Sequence, residues 1–213
     1  MIIRELHRAK WIVGLLFILI PAGAMAQGTG CVAAECVPSF IGPERIFGGF
    51  NNGAYRPGQT FVPRFRGVLN EVRLGLHTTV LGDPTPVVAE IRPVVAGLPT
   101  SVILAQAVVA GAPYIGGQLY TASFTGQNLM LDASTTYAIT LRGTSSRIVY
   151  ILAEFPSCNP ATGSRDPAHS NDGGLTWTYA YSPGERSFVY QVCVDAATPA
   201  LRSTWGEIKT LYR

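Results

Sequence analysis

The sequence predicts an all-β protein: an antiparallel β-sandwich of jelly-roll type, closed by a short C-terminal helix. Three observations carry that prediction. Apolar residues come in short runs with a period of two; in 68–77, Val72, Leu74 and Leu76 fall on one side while Glu71 and Arg73 fall on the other, the pattern of a half-buried strand. Glycine (23) and proline (15) are abundant, whereas charged residues make up only 14% of the chain, a composition of turns and strands more than of helices. No amphipathic helix separates the apolar runs, so parallel β-α-β units lack their crossovers, and short strands at regular spacing suit a sandwich or jelly roll.

The chain begins with a targeting segment, residues 1–26. Arg4, Arg8 and Lys10 precede the apolar stretch Trp11 to Ile20, and Ala24-Met25-Ala26 supplies a small-residue cleavage pattern before Gln27, which together predict a cleaved secretory signal. The apolar stretch is about half the ~20 residues a spanning helix requires, so no transmembrane segment is expected in the mature chain. Cleavage leaves 187 of the 213 residues, enough for one domain with one core. Removing three basic residues and one acidic residue from the chain's +3 leaves a mature charge of +1. With no basic cluster, this balance argues against nucleic acid and against electrostatic membrane binding. The expected location is outside the cell or on its surface.

Residues 27–44 read as an N-terminal disulfide loop, 45–196 as the sandwich, and 197–213 as a linker and amphipathic tail. The expected strands are 59–62, 68–77, 87–95, 102–109 (with 103–105 also open to a short helix), 118–124, 136–141, 147–155 and 186–194. In 87–95, Ala89 and Ile91 face one side while Val88, Glu90 and Arg92 face the other. Gly82-Asp83-Pro84 and Gly97-Leu98-Pro99 break the runs on either side of that strand. In the tail, Thr204-Trp205-Gly206-Glu207 has the form of a capping box, and Trp205, Ile208, Leu211 and Tyr212 recur at helical spacing, a stripe that suits docking.

All four cysteines, Cys31, Cys36, Cys158 and Cys193, lie after the signal, and an even count in an exported chain predicts two disulfides. Three pairings are possible. Proximity in sequence favours Cys31 with Cys36 and Cys158 with Cys193. A four-cysteine zinc site is disfavoured because the spacing lacks two close pairs.

Between Cys158 and Cys193 lies Ser170-Asn171-Asp172-Gly173-Gly174-Leu175-Thr176-Trp177, whose Asn, Asp and Gly residues suit a tight turn. The eight residues fit S-x-D-x-G-x-T-W and resemble the Asp box, a hairpin found in sialidases and other secreted β-proteins. The resemblance implies that Ser170 and Asp172 tie the turn together while Trp177 packs beneath it. It implies no catalytic site, since those boxes sit away from the chemistry. After the turn, Trp177, Tyr179 and Tyr181 share one face by alternation. They either line the core or, as flat apolar surfaces with polar rims, stack on sugar rings; with Asp172 they are the candidate ligand-binding residues. Asp166, His169 and Asp172, three apart on a predicted polar loop, offer oxygens for a structural calcium through Asp166 and Asp172.

Glu71, Arg73, Glu90 and Arg92 read as a solvated ladder of charges across neighbouring strands, not as a carboxylate pair for glycoside hydrolysis. No nucleophile elbow, metalloprotease helix or phosphate loop is present, and only His77 and His169 survive signal removal. An enzyme is therefore not expected, and neither is a cofactor.

Gly58-Gln59-Thr60-Phe61, Val72-Arg73-Leu74, Glu90-Ile91-Arg92, Thr135 to Ile139 and Gly173 to Trp177 together resemble the jelly-roll-like domains of exported bacterial surface proteins. The ending Ser203 to Arg213 is similar to tails that close other exported bacterial proteins. These resemblances imply a cell-surface protein of non-catalytic role. The expected function is a binding module for carbohydrate or another extracellular ligand such as a surface protein. The alternative is a structural or assembly protein docked through its tail.

Overall fold

A computed structural model of the chain describes residues 32–37, 46–78, 86–114, 118–154, 164–180 and 186–196. Residues 1–26, read above as a signal, the tail with Trp205, Ile208, Leu211 and Tyr212, and the residues Cys31, Cys158 and Tyr181 lie outside the described residues.

The described residues form fifteen strands and no helix: β1 (Val32–Cys36), β2 (Ile46–Phe50), β3 (Arg56–Phe61), β4 (Gly67–Thr78), β5 (Val87–Val95), β6 (Leu98–Pro99), β7 (Ala105–Val109), β8 (Leu119–Ser123), β9 (Met130–Leu131), β10 (Tyr137–Gly143), β11 (Val149–Glu154), β12 (Ser164–Ser170), β13 (Thr178–Tyr179), β14 (Ser187–Phe188) and β15 (Tyr190–Ala196). Among these residues no helix is long and apolar enough to cross a membrane. Pairing is antiparallel throughout, in the order β1-β15-β4-β8-β7-β5-β10-β3-β12-β13.

That path falls into two runs of strands. Within each run neighbours share several register pairs, but β7 and β8 are joined by one, Val109 with Ala122. The two runs put their apolar faces into one core. β4 and β15 contribute Val72, Leu74, Val192 and Val194, while β5 and β10 contribute Val87, Ala89, Ile91, Ile139 and Leu141. Phe61 of β3 meets Tyr190 of β15 with ring centroids 6.4 Å apart. Gln59, fully buried, accepts a hydrogen bond on Oε1 from the Phe188 amide at 2.9 Å, tying β3 to β14. Tyr114 closes the far side. Its hydroxyl accepts from the Val87 amide and donates to the Val109 carbonyl, both at 3.0 Å, and burial raises its pKa because the phenolate would be desolvated.

β4 is long enough to serve two neighbourhoods. Its first nine residues pair with β15, β8 and β9, and its end at Leu76–Thr78 pairs with β11, which also holds β2 and β14. Val72, Leu74 and Leu76 are buried as the sequence pattern predicts, and Gly75 between them is buried as well.

Three expectations need correction. The stretch read as an N-terminal disulfide loop contains a strand, β1, hydrogen-bonded to β15. The stretch 101–104 is neither strand nor helix, and β7 starts at Ala105. The polar loop expected around Asp166 is strand β12, paired with β3 on one side and β13 on the other; its backbone bonds outweigh the poor strand propensity of Asp and Pro.

Cys36 and Cys193 are disulfide-bonded. The β1–β15 register sets Cys36 against Tyr190 and Val32 against Cys193. That offset of three places is roughly 10 Å along the strand, beyond the 4.4–6.8 Å Cα separation of a disulfide. Cys36 and Cys193 are therefore not bonded to each other, which removes one of the three pairings.

Candidate functional site

The face of β5, β10, β3 and β12 that turns away from the core is polar at its centre. Register brings Glu90, Thr140, Gly58 and Ala168 side by side across the four strands, with Tyr179 of β13 next in line. Glu90 and Arg92 are buried to 2% and 3% exposure. Their burial overturns the solvated ladder expected from alternation. Glu71 and Arg73 do form a half-exposed ion pair, but β4 and β5 are not neighbours, and the second pair is covered.

Glu90 sits in a nearly closed shell of donors. Its Oε2 accepts from Arg92 Nη2 at 2.7 Å, Arg92 Nε at 3.2 Å and Thr140 Oγ1 at 3.1 Å, and its Oε1 accepts from Arg142 Nε at 3.0 Å. A buried carboxylate is tolerable only when paired and hydrogen-bonded in this way. Arg92 also donates through Nη1 to the carbonyls of Thr100 at 3.0 Å and Gly174 at 3.2 Å. It thus joins the turn after β6 to the Asp-box-like turn.

That second turn is built locally. Ser170 Oγ accepts from the Gly174 amide at 2.8 Å and donates to Asp172 Oδ1 at 2.7 Å. Asp172 accepts further bonds from the amides of Leu175 and Thr176 and from the Thr176 hydroxyl. These bonds, led by the Thr176 hydroxyl, hold its carboxyl well below the usual carboxylate range because they favour the charged form. Gly173 and Gly174 take φ of 78° and 93°, open to glycine at little cost. A Cβ on Gly174 would also lie 2.9 Å from Arg92 Nη2.

Trp177 closes the assembly. Its ring lies 5.5 Å from the Arg92 guanidinium carbon, and its Nε1 donates to the Gly174 carbonyl at 3.2 Å. Gly58 leaves room for it, since a Cβ there would stand 3.1 Å from the ring and 3.2 Å from Thr140 Cγ2. Trp177 is 7% exposed and lies outside the main apolar cluster. It covers the opposite face of the sheet, neither lining the core nor offering a stacking surface.

The other sequence-predicted residues disperse. Tyr179 is exposed at 45%, with its hydroxyl beside Gly97. The oxygens of Asp172 serve its own turn. Asp166 stands on β12, where its carbonyl accepts from Thr60 Oγ1 at 2.7 Å. His169 stacks on Tyr55 at 5.9 Å and meets Thr178 Oγ1 at 3.3 Å. Among the described residues no group of three His, Cys, Asp or Glu side chains can hold a metal ion.

Arg56, Thr140 and Arg142 were not singled out by the sequence. The signal available was Glu90 and Arg92 inside Val87–Val95, an otherwise apolar run, where charges need buried partners.

No protein-family model matches the chain, and no curated protein is similar to it. The functional reading therefore rests on the site alone.

Proposed function

We propose that the protein is an exported, non-catalytic β-sandwich, akin to the jelly-roll-like domains of bacterial surface proteins, and that it binds carbohydrate through the hairpin carrying Tyr179. The observation that carries this reading is the contrast between the two aromatics of that hairpin. Trp177 is buried as a fixture, whereas Tyr179, two residues on, is 45% exposed on a support fixed by Arg92. An exposed ring held rigidly is what stacking on a pyranose needs, because little side-chain freedom is lost on binding. Val102 and Leu175, at 56% and 71% exposure, lie on the two turns that Arg92 ties together, and Val95, at 66%, ends β5. They supply an apolar rim of the kind that marks interaction surfaces.

A glycan and polysaccharide screen on the purified, oxidised protein tests this. Binding that is lost in Tyr179→Ala at unchanged melting temperature is the expected result. Undiminished binding in that variant, or no binding at all, would defeat the proposal.

A further inference from the structure

The outer face holds three guanidinium groups around one carboxylate. Arg92 and Arg142 both bond Glu90 directly, and Arg56 lies within electrostatic reach of Glu90, Arg92 and Arg142. Thr140 pairs with Gly58, and carrying that antiparallel register two places further sets Arg142 across from Arg56, whose other neighbour is Ser170. Among the described residues, no second carboxylate forms an ion pair with any of the three arginines. The cluster therefore carries a surplus of two positive charges.

The two spare guanidiniums differ from Arg92. All three nitrogens of Arg92 are bonded, and the side chain is buried. Arg142 uses only Nε, toward Glu90, and its side chain is 35% exposed, so among the described residues its two terminal nitrogens have no partner. Arg56 spends Nη1 on the carbonyls of Gly53 and Tyr55. Burial is the main reason its pKa is lowered, and the neighbouring arginines add to the effect. A buried acid that fixes Arg142 through Nε leaves its two terminal nitrogens free to grip two oxygens of an oxyanion, a planar carboxylate or a tetrahedral sulfate, the two-point contact in which arginine binds such groups most strongly.

We propose that Arg142 and Arg56 form a subsite for an acidic group, carboxylate or sulfate, on the polysaccharide that Tyr179 engages. This rests on the carbohydrate-binding reading above. Tyr179 and Arg56 stand two strands apart and Arg142 one strand further, a span of roughly 10–15 Å at the ladder spacing, so a single polymer chain reaches both ends.

The test compares three probes by titration at low and moderate salt: dextran, neutral; polygalacturonate, carboxylate-bearing; and dextran sulfate. The acidic polymers are expected to bind at least about tenfold more tightly than dextran, and Arg142→Gln and Arg56→Gln are each expected to lose roughly that factor. Arg142→Lys should retain part of it. Arg66→Gln, the same charge change at a position 64% exposed and paired with Asp132, should lose nothing. Preference for polygalacturonate over dextran sulfate, or the reverse, assigns the group. If Arg142→Gln and Arg66→Gln weaken binding equally, the attraction is diffuse and the subsite is refuted. If dextran binds as well as the acidic polymers and only Tyr179→Ala matters, the subsite falls while the carbohydrate reading stands. If no polymer binds, both fall.

Discussion

Glu71-Val72-Arg73 on β4 and Glu90-Ile91-Arg92 on β5 are the same short phrase: an acid and a base two apart on one face of a strand, with an apolar residue turned to the core. Their surroundings make them opposites. The β4 pair is half-exposed, with side chains at 26% and 36%, whereas the β5 pair is at 3% and 4%. The difference lies in what arrives from far along the chain, because residues 170–177 fold over β5 and seal its charges beneath Trp177 and Gly174. An ion pair at the surface is weakly stabilising since water competes for both charges. Under a cover the same pair becomes a structural joint, whose halves cannot be removed singly without stranding the other.

The comparison can be broken from its strongest side first. Arg92→Ala should destabilise the protein by about 3–5 kcal/mol, because Glu90 stays buried with one partner fewer. A denaturant titration reads this, and the joint is disproved if the loss is no greater than for the surface pair. Trp177→Ala should cost about 3 kcal/mol while the far-UV spectrum is preserved, since the ring lies outside the main core. Asp172→Asn should lessen acid sensitivity. The folded-state pKa of Asp172 is depressed, so its stabilisation is full above about pH 4–5 and is lost as pH falls through the carboxylate range. Melting temperature should therefore drop more steeply on acidification in the parent than in the variant; parallel curves would count against the turn. Glu71→Gln or Arg73→Gln should change stability by less than about 1 kcal/mol, and a larger value would erase the contrast.

Much of the fold was legible because pleated strands write their burial into alternate residues. The strand predicted at 87–95 is β5 with the same limits, and β4 differs from its expected span by one residue at each end. The strands that escaped notice, β1, β2, β6, β9 and β12, are short or carry residues that pattern reasoning assigns to loops. In β12, Asp166, Pro167 and His169 hide a strand whose place is decided by its partners on β3. The local half of the candidate site was equally readable, since Ser170, Asp172 and Trp177 take the places that the Asp-box resemblance implies. The other half was not. Alternation shows that Glu90 and Arg92 leave the core, but it is silent on whether a distant segment returns to cover them. The convergence of Arg56, Arg92 and Arg142 on one carboxylate is set by strand order, which no local pattern encodes.

The turn at 170–177 draws nearly all its bonds from within its own eight residues, whereas the joint at Arg92 needs segments 82 positions apart, from Arg92 to Gly174. A closure that short takes on the order of microseconds, and long-range antiparallel pairing takes milliseconds to seconds. The hairpin can thus be assembled and waiting when β5, β10 and β3 come together, with Trp177 already presented as a lid for charges that have yet to lose their water.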